Sequence, residues 1–216
     1  SDVCSSDLYF GHGVGERDAK FAAAGARCGE RLAFLDVLRP DLEAQRHALT
    51  LPLEVLRART QVVAIVDFDV HHGNGTQAIA ESDPSLFYAS THQFPFYPGT
   101  RSARERGIDG NVVNMPLAAG SGGSAFRTAW ADGILPRLDD FAPELLIVSA
   151  GFDAHRRDPL AQLNLEVEDF AWLTRELLTL ADKHCRGRVV SALEGGYDLE
   201  ALAASAAAHV AVLMRR

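Results

Sequence analysis

The sequence has little cysteine and no long apolar run. Its three cysteines, Cys4, Cys28 and Cys185, show no CxxC spacing, and an odd number does not form a closed disulfide framework. This usage favours reduced thiols in a cytoplasmic setting. A helix that crosses a bilayer needs about 18 or more consecutive apolar residues, and neither such a run nor a secretory leader is found. The sequence therefore predicts a cytoplasmic protein with no membrane partner.

An excess of positive charge is also missing. The 216 residues carry 21 Lys and Arg against 29 Asp and Glu, which gives a formal net charge of −8 at pH 7. Non-specific binding of nucleic acid requires a basic face, so no nucleic-acid partner is expected. A hydrophobic content of 47% and a charged content of 23% are ordinary for one globular domain.

From residue 61 onward, apolar β-branched runs alternate with helical patterns. Strands are predicted at 62–67, 85–90, 111–117, 145–151 and 188–193, and helices at 124–139, 167–184 and 198–214, with another beginning near Thr76. This alternation predicts an α/β fold, a three-layer parallel sheet with helices on both faces. We separate an N-terminal segment, 1–60, from the main unit, 61–216. Residues 1–8 lack periodicity and are treated as a candidate cloning or assembly scar.

Polar clusters follow four of the predicted strands, at the point where each strand ends. They cover residues 67–75, 90–92, 151–158 and 194–197. In open parallel sheets, ligands bind at the carboxyl ends of the strands. We therefore expect the four clusters to meet at one edge of the sheet and to form the functional site.

The first and third clusters contain candidate metal ligands. Alternate residues of a strand share a face, so Asp67, Asp69 and His71 are expected to point the same way. Two carboxylates and an imidazole cannot be buried together without a cation, and a divalent metal resolves the conflict. Beside Asp69 and His71, Asp153 supplies the third donor of a catalytic zinc site, which leaves one position open for water and substrate. The alternatives are a solvated loop and, for Asp153, a helix cap; Asp158 before proline indicates a turn.

The remaining clusters offer groups that could act beside a metal. Gly195 and Gly196 permit a tight turn that presents Tyr197 at the rim, where a phenol can donate a hydrogen bond to an oxyanion. The rings of Phe96 and Tyr97 could wall a narrow channel, and with the two glycines they form the predicted substrate channel. A turn with a packing tyrosine and ordinary packing of the rings are the alternatives.

The chain resembles the zinc-dependent histone deacetylase and acetylpolyamine amidohydrolase superfamily, and its class II and bacterial branches more than class I. The resemblance covers about 61–216 and rests on "DFDVHHGNGTQ", "STHQFPFYPGT", "NVVNMPLAAGSG", "SAGFDAHRRDPL" and "EGGYDLEAL". It implies zinc ligands at Asp69, His71 and Asp153 and a transition-state tyrosine at Tyr197. It also implies a structural potassium ion, held partly through backbone carbonyls by Asp67, Asp69, His71, Ser90 and Thr91.

The resemblance further implies an amidohydrolase that removes acetyl or other acyl groups from acetylated amines. Its substrate partner would be a small acetylated amine, such as an acetylpolyamine, or an acetyl-lysine peptide. Zinc would polarise the amide carbonyl and activate water, while Tyr197 stabilises the oxyanion. An incomplete sheet would expose apolar edges, and this favours association into a homo-oligomer.

The sequence departs from the family pattern upstream of Asp69. Family members assign proton transfer to an adjacent His-His pair, usually within "GHH", near the position where this sequence has Phe34. His12 and His47 are single histidines. Loss of a positioned general base typically costs about 10²–10⁴-fold in rate. The sequence therefore predicts an N-terminally incomplete enzyme without its first strands, weakly active or inert.

Two other functions stay open. A metal-stabilised domain could bind acylated ligands without hydrolysing them, and the missing His pair favours this alternative. A ureohydrolase with two manganese ions shares the architecture but needs further metal-bridging aspartates, and Gly73 stands where such an acid would be expected.

Overall fold

The protein is described by a computed structural model over residues 62–99 and 104–214. Expectations for residues 1–61, among them those for His12, Phe34 and His47, lie outside the described residues. Five parallel strands form one sheet in the order β3-β2-β1-β4-β5. The strands are β1 (Val63–Asp67), β2 (Leu86–Gln93), β3 (Val112–Leu117), β4 (Leu145–Ala150) and β5 (Val189–Leu193). The predicted parallel sheet is confirmed.

Helices follow or separate the strands as the sequence predicts. They are α1 (Asn74–Ala80), α2 (Gly123–Thr128), α3 (Leu135–Phe141), α4 (Val167–His184) and α5 (Leu199–Leu213). A π-helical segment, Ala129–Ile134, joins α2 to α3 within the helix predicted at 124–139. Pro136, in the first turn of α3, has no N–H with which to continue an α-helical ladder, which explains the interruption. Among the described residues, no helix combines the length and apolarity that a membrane crossing requires.

The second strand is longer than predicted. It continues through Thr91, His92 and Gln93, which pair with the end of β3 although they are polar and buried. The indole Nε1 of Trp130 donates to Thr91 Oγ1 at 3.1 Å. Contacts of this kind satisfy polar groups inside the fold and let the strand extend beyond its apolar run.

Each face of the sheet has its own apolar core. One face packs against α2 to α5 through residues such as Val66, Val148 and Trp130. The opposite face packs against α1 through a smaller cluster that contains Ile65, Tyr88 and others. Burial of each large apolar side chain contributes about 1.5–3 kcal/mol. Helices therefore cover both faces, and the predicted three-layer α/β architecture is confirmed.

The connections place a crevice beside the central strand. From β1 the chain moves outward to β2 and β3, then returns to the other side of β1 to form β4 and β5. Successive strands are thus added first on one side of β1 and then on the other. Open α/β sheets bind ligands at such a point, in the crevice between the carboxyl ends of β1 and β4. Asp69 and His71 follow β1, and Asp153 follows β4.

A buried histidine joins the last two helices to the edge of the sheet. Thr174 Oγ1 donates to Phe170 O at 2.7 Å, so its lone pair accepts the Nδ1–H of His209, also at 2.7 Å. The Nε2 of His209 then accepts from Ser191 Oγ at 2.9 Å. Burial lowers the pKa of His209 to about 4, because the charged imidazolium would lose its hydration.

This histidine is expected to make folding stability depend on acid. Because its pKa is about 4 in the folded state and about 6.5 when unfolded, the unfolded chain gains protons first as the pH falls. Stability is complete above pH 6.5 and is lost toward pH 4, by about 3 kcal/mol. Chemical unfolding of wild type and His209→Gln at several pH values should show a shallower acid loss in the variant. Parallel curves, or an NMR titration of His209 near 6.5, would contradict this.

Candidate metal centre

The loops after β1 and β4 bring three potential metal ligands together. One donor atom from each of Asp69, His71 and Asp153 lies within 4.8 Å of the other two. All three residues are buried, with exposed fractions of 6%, 8% and 0%. No other group of three such side chains with this spacing occurs in the described ranges.

Backbone N–H groups fix the orientation of the two carboxylates. Asp69 Oδ2 accepts from the N–H of Gly195 at 3.0 Å, and Asp69 Oδ1 accepts from that of His71 at 2.8 Å. Asp153 Oδ1 accepts from the N–H of Val70 at 2.9 Å. Asp153 Oδ2 is buried and accepts no hydrogen bond of normal geometry among the described residues, although His71 Nδ1 lies 3.2 Å from it. A buried oxygen that lacks a hydrogen bond costs about 1–3 kcal/mol, and a bound cation would satisfy it.

The two buried carboxylates, Asp69 and Asp153, favour a positive charge between them. Burial and the neighbouring Asp69 raise the pKa of Asp153 to about 7. Burial alone would lower the pKa of His71, but Asp153 and Asp69 raise it to about 10. His71 Nδ1 lies 3.0 Å from Asp69 Oδ1 and 3.2 Å from Asp153 Oδ2. A proton on this nitrogen therefore stands where a metal ion would supply the positive charge, and one nitrogen with two carboxylates is a donor set that zinc accepts.

Two glycines allow the chain to approach these carboxylates. A Cβ on Gly195 would lie 2.0 Å from Asp153 Oδ2 and 2.7 Å from Asp69 Oδ2. A Cβ on Gly151 would lie 2.2 Å from Asp69 Oδ2. Only a hydrogen atom fits at either position. Gly195, predicted as part of the substrate channel, thus contacts the candidate ligands directly. No local pattern in the sequence singles out Gly151.

Aromatic rings cover one side of His71. The Phe96 ring stacks on the imidazole with 5.2 Å between centroids and 25° between planes. Tyr97 meets the same imidazole edge-on at 6.3 Å and is 49% exposed. Phe96 packs against the large core, so the pair extends from the core to the surface. Their role as walls of a substrate channel stays a prediction.

Tyr197 lies in the loop between β5 and α5. It is half-buried and follows Gly196, whose φ of 145° and close contact with Leu202 favour glycine. Its backbone N–H donates to Asp158 Oδ2 at 2.9 Å. Asp158 also accepts from the N–H of Leu160 at 2.9 Å, in agreement with the predicted turn. The sequence does not predict the contact between Asp158 and Tyr197, because the Asp-Pro dipeptide indicates only a local turn.

The residues predicted to hold potassium lie at the end of β1, in the loop that follows it and within β2. Asp67 pairs with Ser90 in the register of the two strands. Asp67 Oδ1 accepts from Asp69 N at 3.0 Å, and its Oδ2 accepts from Tyr88 Oη at 3.1 Å. Burial, Asp69 and Glu194 raise the pKa of Asp67. The Thr91 hydroxyl accepts the indole N–H of Trp130 at 3.1 Å.

Most of the chain is similar to known proteins. Residues 49–213 match the family model described as the histone deacetylase domain. The chain is 46% identical over 162 residues to uncharacterized protein slr0245 of Synechocystis sp., covering 75% of this chain and 50% of that protein. It is 40% identical over 158 residues to the histone deacetylase-like amidohydrolase of Pseudomonas aeruginosa, covering 69% and 41%.

Two solved structures extend this similarity to the fold. The HDA15 HD domain superposes with a TM-score of 0.70 at 40% identity and covers 77% of this chain and 48% of its own. The histone deacetylase Clr3 superposes with a TM-score of 0.76 at 32% identity and covers 89% and 34%. The chain thus spans half or less of the length of these relatives.

Proposed function

This chain belongs to the histone deacetylase family, and on that premise we propose that it acts as a zinc-dependent amidohydrolase on acetylated amines. Acetyl-lysine and acetylpolyamines are the proposed substrates, and residues 61–216 are proposed to form the C-terminal part of the catalytic domain. The observation that carries the proposal is the convergence of Asp69, His71 and Asp153, with one buried carboxylate oxygen left without a hydrogen bond.

Zinc would be held by Asp69, His71 and Asp153. When bound, it would supply a Lewis acid that polarises an amide carbonyl and lowers the pKa of a water molecule. The backbone N–H groups of Gly195 and Val70 hold the two carboxylates in their orientations, as outer contacts of metal ligands commonly do. This support leaves Asp153 Oδ2 available for the metal.

The chain's own groups would orient the reacting amide. The Phe96 ring stacks on one side of the His71 imidazole and would shield it from water. Tyr197, two residues after Gly195, would donate its phenolic proton in a hydrogen bond to the oxyanion that develops on the carbonyl oxygen. This interaction strengthens as negative charge develops, so it lowers the barrier more than it aids substrate binding.

Tyr197→Phe is expected to lower kcat by about 10²–10³-fold, as removal of an oxyanion donor does elsewhere. Zinc content should not change, because the hydroxyl is not a proposed ligand. Turnover of a fluorogenic acetyl-lysine peptide and of an acetylated diamine by zinc-loaded protein measures the effect. Tyr97→Phe removes a nearby hydroxyl and keeps the ring, so its effect should be much smaller. Equal activities of wild type and Tyr197→Phe would contradict the assignment.

One observation favours a second function, binding of acylated ligands without hydrolysis. The sequence has no adjacent His pair before Asp69, and absence of a positioned general base costs about 10²–10⁴-fold in rate. Calorimetric binding of an acetyl-lysine peptide without turnover would support this second function. The alternative with two manganese ions is disfavoured, because the described residues contain only one suitable ligand group.

We also propose the potassium ion that the family resemblance implies. Asp67, the last residue of β1, pairs with Ser90 of β2, and the Asp67 carboxylate is buried near two other acids. Exchange of sodium for potassium at constant ionic strength is expected to raise the melting temperature, by about 2–4 °C for each kcal/mol of binding free energy. Asp67→Asn should abolish the difference. Identical melting temperatures in the two salts would leave zinc as the only proposed ion.

A further inference from the structure

The Tyr197 loop is held to the loop that carries Asp153 by a half-buried hydrogen bond. Asp158 Oδ2 accepts the backbone N–H of Tyr197 at 2.9 Å, and Asp158 Oδ1 accepts that of Leu160 at 2.9 Å. The N–H of Asp158 itself donates to His155 O at 2.8 Å. Asp158 is only 8% exposed. Hydrogen bonds between a carboxylate and N–H groups are about twice as strong as neutral ones, so this link is firm.

Two residues earlier, the same loop is held to the candidate ligands. The N–H of Gly195 donates to Asp69 Oδ2 at 3.0 Å, and its carbonyl accepts from Phe152 N at 2.7 Å. Between Gly195 and Tyr197 lies Gly196, with φ 145°, a conformation that other residues rarely adopt. Gly195 therefore fixes where the loop starts, and Gly196 lets it turn. The direction of the chain at Tyr197, after that turn, is then set by the hydrogen bond from the Tyr197 N–H to Asp158.

A second contact on the same side is exposed. Arg157 Nη2 lies 2.8 Å from Glu200 Oε2 and 3.2 Å from Asp198 Oδ2. The Arg157 side chain is half-exposed and that of Glu200 largely exposed, and solvent screens ion pairs in such positions. Arg157 is therefore a matched control for Asp158, since it is adjacent in the chain and touches the same loop.

From this geometry we infer that Asp158 is a positioning residue, which sets the placement of the Tyr197 phenol by holding its backbone N–H. The inference rests on the proposed function of Tyr197 as oxyanion donor. Displacement of a reacting group by about 1 Å can cost about 10²-fold in rate. Asp158 touches neither substrate nor metal in this account, so its loss should lower kcat while zinc content is retained.

Measurement of kcat and KM with the zinc-loaded full chain and its variants tests the inference. Asp158→Ala is expected to lower kcat by about 10–100-fold with a much smaller change in KM. Asp158→Asn keeps one acceptor oxygen and should recover part of the loss, and Arg157→Ala should stay within about two-fold of wild type. In a Tyr197→Phe background, Asp158→Ala should add no more than about two-fold, because residues that act through one group are not additive. Equal losses in both backgrounds would overturn the inference.

A readout that needs no turnover separates this inference from the proposed function. With 3-fluorotyrosine at position 197, the ¹⁹F resonance is expected to shift and sharpen in Asp158→Ala and Asp158→Asn, but not in Arg157→Ala. An unchanged resonance in both Asp158 variants would refute the positioning role. If wild type shows no turnover while the resonance responds as expected, the proposed activity fails and the positioning of Tyr197 stands.

Discussion

Replacement of Asp153 by alanine is expected to weaken zinc binding by more than about 100-fold. Loss of an outer contact to a metal ligand already costs about 10–100-fold in affinity, and Asp153 would be a ligand itself. Its Oδ2 is the one buried carboxylate oxygen in the described part of the chain that makes no hydrogen bond. Zinc analysis after dialysis against a metal buffer measures the loss, and deacetylation should disappear with the metal.

The effect of zinc on stability gives a second measurement. Zinc should raise the melting temperature of wild type and not that of Asp153→Ala, because only a folded ligand set gains from the ion. The metal-free variant should remain folded, since it no longer buries two carboxylates around His71. Asp132→Ala, an exposed aspartate on the π-helical segment, serves as the control and should bind zinc as wild type does. Stoichiometric zinc in Asp153→Ala would refute the ligand assignment.

Gly195→Ala should damage the same centre without removing any ligand. The added Cβ would lie 2.0 Å from Asp153 Oδ2 and 2.6 Å from its Cγ, so the carboxylate or the loop must move. Overpacking of this kind typically costs about 1–3 kcal/mol of folding free energy. Movement of Asp153 should also lower zinc affinity by at least the 10–100-fold associated with displaced ligand support. Unfolding by denaturant and competition with a chelating dye measure the two effects.

A matched glycine separates the effect of crowding from that of the substitution itself. Gly75 lies in α1, and a Cβ there would meet nothing within 4 Å. Gly75→Ala should stabilise the protein by up to about 0.5–1 kcal/mol, because alanine favours helix, and should leave zinc affinity unchanged. Wild-type zinc affinity and stability in Gly195→Ala would show that the site tolerates a side chain where the structure leaves room only for hydrogen.

Local patterns in the sequence were sufficient to predict most of the strands and helices and part of the candidate site. A buried parallel strand is a short run of β-branched residues, so 62–67 and 145–151 predicted β1 and β4 almost to the residue. The two-residue period of a strand predicted that Asp69 and His71 would share a face, but β1 ends at Asp67, so that period does not account for where they lie. The polar residues at the end of β2 did not signal a strand, because Thr91 to Gln93 owe their places to the neighbouring β3 and to Trp130.

The sequence by itself determined the strands, the parallel sheet and the residue types at the strand ends, because these follow from local conformational preference and burial. Only the tertiary structure decided that β4 lies beside β1, which brings Asp153 to His71. It also decided that Gly195 lies against both carboxylates and that Asp158 holds Tyr197. These contacts join residues far apart in the chain, so they depend on strand order and packing, which no local pattern specifies.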